Sequence, residues 1–250
     1  MQMKAIFLNG KKAIFSCCFL LIFVFISVFS VNFLPYINDY YVNKTNANAE
    51  KIRPKILIDP GHGGVDGGAV SPIDKTVEKG LNLQIANRCR DLFLIMGYDV
   101  TMTRTEDISI HDDSAKTIRQ KKVSDLKNRL NMLESGDFEL LLSVHMNIFS
   151  KGQYHGTQVF FGGKNEQSAK YAKSIQNAVQ KHLQTDNDRV EKQSSRSIYI
   201  LYNATKPAVM AECGFLSNYE ELCKLKSDDY QKRLSLCLVG GIIENKYSDN

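Results

Sequence analysis

Alternation between two periodicities is the feature that most restricts how this chain can fold. Short apolar runs of strand length take turns with longer stretches whose apolar residues recur every three or four positions. Strand-like runs are Lys55–Asp59 (closed by Pro60-Gly61), Tyr98–Thr103, Phe138–His145, Thr157–Phe161, Ile198–Tyr202 and Ala208–Cys213. Helical patterns fill Glu78–Met96 (Leu81, Ile85, Cys89, Leu92, Met96), Ser114–Leu133 (Ile118, Val123, Leu126, Leu130, Leu133 as its apolar side), Glu166–Leu183 and Ser227–Glu244. Strands separated by helices predict a three-layer α/β domain: a mostly parallel, twisted sheet of about six strands with helices on both faces. In such sheets ligands gather beyond the carboxyl ends of the strands.

The amino end reads differently. Ala13 to Leu34 is a run of 22 uncharged residues preceded by Lys4, Lys11 and Lys12. As a helix it would be roughly 33 Å long, enough for a hydrocarbon core of about 30 Å. Residues 1–34 are therefore expected to be a transmembrane signal anchor or a cleaved signal peptide, with Val28-Phe29-Ser30 as a candidate cleavage site; either exports the rest. Residues 35–52 are polar and aperiodic, as in a juxtamembrane linker, and 53–247 form the expected catalytic domain. Outside residues 1–34 the chain carries 29 basic against 27 acidic side chains, which gives nucleic acid no basic face to bind. Cys89, Cys213, Cys223 and Cys237 are too sparse for a disulfide scaffold and include no C-x-x-C pair, so buried free thiols are expected.

Residues able to do chemistry fall at the predicted strand ends. The first strand runs into Asp59-Pro60-Gly61-His62-Gly63-Gly64, the third ends in His145-Met146-Asn147, the last in Glu212-Cys213-Gly214-Phe215, and Glu78 opens the helix after a Gly-rich loop. Two imidazoles and two carboxylates at one rim are the raw material of a catalytic zinc site, which takes three protein ligands and leaves one position open. A further carboxylate must then move the proton. Alone, each residue has an ordinary reading: a loop histidine, a backbone-bonded strand-end histidine, a first-turn acid favoured by the helix dipole. Their shared placement is what carries weight. His111, His155 and His182 lie in polar surroundings and read as surface residues.

These blocks, in this order, resemble the zinc-dependent N-acetylmuramoyl-L-alanine amidases of bacterial cell walls (the amidase 3 type). The resemblance runs through Ile58–Gly64, Glu78–Leu83, Gly97–Val100 with Thr103-Arg104, Ser143–Asn147, Gly156-Thr157 and Pro207–Asn218. It implies one zinc ion per chain bound by His62, Glu78 and His145, Glu212 as the catalytic carboxylate, and peptidoglycan as the substrate. On this reading Asp59 and Asn147 orient the histidines, while Arg104 pairs either with a stem-peptide carboxylate or in a structural salt bridge. Departures are Met146 in place of a common alanine and Asn187-Asp188-Arg189-Val190, which lacks the family's glycine. Residues 148–155 are too few for the inserted helix that blocks the zinc in some members, so control by a regulatory protein partner or by timed expression is expected. The small single-domain layout is similar to the germination-specific amidases of spore-forming bacteria, which act in the spore cortex. Another wall zinc hydrolase, a peptidase or deacetylase, would keep the same metal residues; a catalytically silent wall-binding protein would not need them.

Because every candidate residue lies beyond the linker, a 52–250 fragment is expected to fold, bind zinc and cut peptidoglycan. A well-folded, zinc-loaded fragment that is inert beside an active full-length chain would refute that boundary.

Overall fold

The computed structural model describes residues 53–248, so the predicted anchor and linker (1–52) lie outside the described residues. Strands β1 (Lys55–Pro60), β2 (Asp99–Met102), β3 (Leu140–Asn147), β4 (Gln158–Phe161), β5 (Lys192–Gln193) and β6 (Ala208–Phe215) form one sheet in the order β2-β1-β3-β6-β4-β5. All pairs are parallel except β4 with β6, which is antiparallel. Helices α1 (Glu78–Ile95), α2 (Ile118–Ser135), α3 (Glu166–His182), α4 (Tyr199–Asn203), α5 (Tyr219–Lys226) and α6 (Asp228–Ser248) complete the expected α/β architecture. Among the described residues no helix is long and apolar enough to cross a membrane.

The apolar runs of β1 and β3 are continuous because both faces of the sheet are covered. Ile56, Ile58, Leu140, Leu142 and Val144 belong to one core with Ile85 and Phe93 of α1, Ile175 of α3 and Leu238 of α6. Their alternates Leu57 and Leu141, with Met210, pack with Leu133 of α2 and Leu201 of α4 in a second. One side-chain reversal per residue thus feeds two cores.

Three expectations are corrected. The run Ile198–Tyr202, read as a strand, is the short helix α4; five apolar residues carry no period that separates the two, and Ile200 and Leu201 both turn inward. The sixth strand is instead β5, two exposed polar residues at the sheet edge with no apolar signal to read. Helix α2 exists, started by Thr117 in a capping box with Gln120, but its inner face is only partly the expected one: Leu133 and, in part, Leu130 pack inward as expected. Ile118 is 65% exposed and Val123 46%, while Asp125, Arg129 and Leu133 are buried. A charged pair occupies the inner face because it has a polar task there. Helix α5, capped by Asn218, is an additional element beyond the expected four helices. Cys89, Cys213 and Cys237 are buried free thiols as expected, but Cys223 is exposed.

A candidate metal centre at the sheet rim

Both histidines and Glu212 stand at the carboxyl rim because three parallel neighbours, β1, β3 and β6, end together. Gly61 N–H donates to the Val144 carbonyl at 3.0 Å, tying the turn after β1 to the end of β3. Across β3 and β6, His145 and Glu212 are registered partners. The remaining residue, Glu78, is placed by the loop 61–77, which closes on itself through Gly63–Asp66 and Val70–Val77 bridges before opening α1.

Glu78 is buried, and five groups hold its two oxygens. Oε1 faces His145 Nδ1 at 3.0 Å and accepts from the Met146 N–H (2.9 Å) and Asn82 Nδ2 (3.2 Å). Oε2 accepts from the Ala69 N–H (2.7 Å) and lies 3.3 Å from His62 Nε2. Burial opposes its charge, but the two imidazoles outweigh burial and hold the carboxyl far below the usual range. His62 and His145 meet edge to face with ring centroids 4.9 Å apart. One ligand atom from each of His62, Glu78 and His145 can be chosen so that all three lie within 4.8 Å of one another.

His62 is set chiefly by Asp66 and Arg129, which are not among the expected site residues. Asp66 Oδ2 is 2.9 Å from its Nδ1, leaving Nε2 toward Glu78, and Lys122 Nζ pairs with Asp66 Oδ1 at 2.8 Å. Burial works against a charged His62, yet Asp66 and Glu78 raise its pKa to about 9. Its backbone sits at φ 63°, a costly conformation for a non-glycine residue. Arg129 holds it there, donating from Nη2 to the His62 carbonyl at 2.7 Å and from Nη1 to the Pro60 carbonyl at 2.9 Å. An acid four residues past a histidine in a Gly-rich loop was a readable signal for Asp66. Arg129 had none, sitting mid-helix among lysines.

Asp59 does not bond either imidazole: its oxygens accept from Arg129 Nη1 (2.5 Å), Thr103 Oγ1 (2.7 Å) and Ser143 Oγ (2.7 Å). Burial would raise its carboxyl, but these partners, Arg129 first, bring it down to about 2. Asn147 Oδ1 accepts from the next N–H, Ile148, at 2.8 Å instead of reaching a histidine. Arg104 is buried and spends its guanidinium on the carbonyls of Pro60, Gly61, Lys79 and Glu106, each at 2.9 Å. It fastens the loop; its geometry serves neither the expected substrate carboxylate nor the expected salt bridge.

Glu212 faces the same cavity as both histidines, a space of about 300 Å³ walled by Leu126 of α2 and by Ile198 and Tyr199 at α4. Its Oε2 is buried without a hydrogen-bond partner, and burial pushes its pKa up. A carboxyl whose charged form is destabilised, beside a cluster of N and O donors, is suited to taking and returning a proton.

A family model described as N-acetylmuramoyl-L-alanine amidase matches residues 56–244. The germination-specific N-acetylmuramoyl-L-alanine amidase of Bacillus subtilis (strain 168) is 35% identical over 188 residues, covering 75% of this chain and 78% of that protein. The CwlD amidase of Clostridioides difficile, solved in complex with the GerS lipoprotein, superposes with a TM-score of 0.76 at 33% identity, over 79% of this chain and 100% of that one. An N-acetylmuramoyl-L-alanine amidase of Clostridium difficile 630 superposes with a TM-score of 0.69 at 26% identity, over 79% and 99%. The chain belongs to the N-acetylmuramoyl-L-alanine amidase family.

Replacing Arg129 by alanine strands the buried Asp59 and frees the His62 turn. A loss of about 3–5 kcal/mol is expected, as for other broken buried pairs. Denaturant melts at neutral pH measure it, and a loss under about 1 kcal/mol would contradict the role given to Arg129.

Proposed function

We propose that this amidase cuts the amide between the lactyl group of N-acetylmuramic acid and L-alanine in peptidoglycan, using one zinc ion held by His62, Glu78 and His145. The observation that carries the reading is the convergence of these three donors beside the unpartnered buried oxygen of Glu212. The donor set fits the ion. Two imidazole nitrogens and a carboxylate are common catalytic zinc ligands, and the three donors here lie close enough together to share one ion. Asp66 behind His62 supplies the carboxylate that habitually orients a metal-bound histidine. When bound, zinc supplies polarisation of the attacked carbonyl and a water acidic enough to react at neutral pH.

The chain's own residues do the rest. Glu212 takes the proton of the attacking water and delivers it to the departing amine. Desolvation raises its pKa, which makes it a stronger base for taking the water's proton. Leu126, Ile198 and Tyr199 give the cavity an apolar wall for the substrate to rest against. Residues 148–157 carry only bends and turns, so no helix of this segment covers the site. Control then falls to something outside the domain, and the lipoprotein bound to the Clostridioides difficile relative supports a protein partner here too. The germination-specific relative supports a place in spore-cortex maturation, on the outer side of the membrane.

His62→Ala and His145→Ala are each expected to lose bound zinc; elemental analysis showing wild-type content in both would overturn the ligand set. Glu212→Gln keeps the shape but not the basicity. It is expected to retain zinc and its melting temperature while turnover falls by at least about 10²-fold. Lost zinc would make Glu212 a ligand, and retained activity would refute its role in proton transfer.

A further inference from the structure

The row that begins with His145 and Glu212 continues onto β4. Gln158 is the registered antiparallel partner of Glu212. Its Oε1 accepts from Arg189 Nη1 at 3.3 Å, and its Nε2 donates to the Val190 carbonyl at 3.0 Å. Arg189 is fixed at two further points. Its Nε donates to the His155 carbonyl at 2.7 Å, and its guanidinium carbon lies 4.7 Å from the centre of the Phe215 ring. Phe215 ends β6, three residues past Glu212, and carries Tyr154 at 6.3 Å on another side. Tyr154 in turn meets the half-exposed Phe149 at 4.7 Å. Arg189 is only partly buried, and among the described residues no carboxylate pairs with it and Nη2 has no hydrogen-bond partner. A cation held this firmly with one edge of its fork unused is preorganised for an anion.

We infer that Arg189, positioned by Gln158 and Phe215, binds a carboxylate of the peptide on the leaving side of the cut bond. The inference rests on the amidase reading, because Glu212 must hand its proton to the departing amine for the peptide to lie on its side. Adjacent strands are about 4.8 Å apart, so the Gln158 position stands about 10 Å from His145, with Glu212 between them. An extended peptide advances about 3.3 Å per residue. A group anchored at Arg189 therefore belongs to the first two or three residues after the bond. In a stem peptide the second residue is a glutamyl unit joined through its side-chain carboxyl, and its α-carboxylate is free in some walls and amidated in others. Arg189 is a reader of that difference: a bidentate guanidinium rewards the carboxylate and gains little from the amide.

The test compares two purified muropeptides, alike except for a free or an amidated glutamyl α-carboxyl, with full-length wild type, Arg189→Gln and Arg189→Lys. Wild type is expected to favour the free carboxylate by about tenfold or more in kcat/KM, mostly through KM. Arg189→Gln is expected to bring the ratio near one by losing only the gain on the free form, with its melting temperature recorded alongside. Arg189→Lys keeps the charge without the fork and is expected to fall between; its ratio decides the matter if Arg189→Gln does not fold. A wild type indifferent to amidation, or variants that keep the wild-type ratio, overturns the inference while leaving the amidase intact. A wild type that cuts neither substrate overturns both.

Discussion

Glu78 is the group around which the rim is assembled. A buried carboxylate is costly unless its lone pairs are filled, and here the filling comes from parts of the chain far apart in sequence. Ala69 N–H comes from the loop, Asn82 from one turn further along α1, Met146 N–H and His145 from β3, and His62 from the turn after β1. The amino end of α1 adds its partial positive charge. Satisfying one carboxylate therefore brings loop, helix and central strand to the same point, and the histidines arrive already aimed at it. Close approach is required for this, which explains two glycines. A Cβ on Gly61 would lie 2.2 Å from the His145 ring, and one on Gly68, at φ +72°, would lie 2.5 Å from Glu78 Oε2.

A second network holds the first. Asp59 and Asp125 neutralise Arg129, and Arg129 in turn holds the Pro60 and His62 carbonyls. The pair takes the inward position on the helix while Val123 and Leu126 of the hydrophobic pattern stay exposed. Its cost in desolvation is offset by near-complete pairing, and what it secures is the strained His62 backbone. The Asp59 carboxyl, lowered to about 2, contributes stability that is present above about pH 4 and lost as the pH falls toward 2.

What the sequence made legible follows from the range of the forces involved. Strands β1, β3 and β6 are long, apolar and bounded, so their ends, and with them His62, His145 and Glu212, could be placed by local pattern alone. Glu78 was legible as the first residue of a periodic helix. The partners were not. Whether Asp59 turns to an imidazole or to Arg129, and whether Arg104 meets an acid or four carbonyls, depends on contacts between segments dozens of residues apart. The inner face of α2 was misread in part for the same reason, since a buried ion pair is silent in a hydrophobic pattern. Ile198–Tyr202 failed on length, being too short for either period to show.

The reversal of β4 shapes the rest of the rim. Beside three parallel strands ending together, an antiparallel neighbour must begin where they end. Chain leaving β3 at Asn147 therefore needs only to pass the end of β6 to enter β4 at Gln158, and ten residues without a helix suffice. That short passage brings Phe149, Tyr154 and the His155 carbonyl over the end of β6, where Phe215 meets them. A parallel β4 would have required a crossover of a dozen or more residues returning to the opposite edge, and its amino end would lie away from Glu212. The same reversal thus leaves the centre uncovered and sets a row of three polar positions, His145, Glu212 and Gln158, across adjacent strands at spacings fixed by backbone hydrogen bonds.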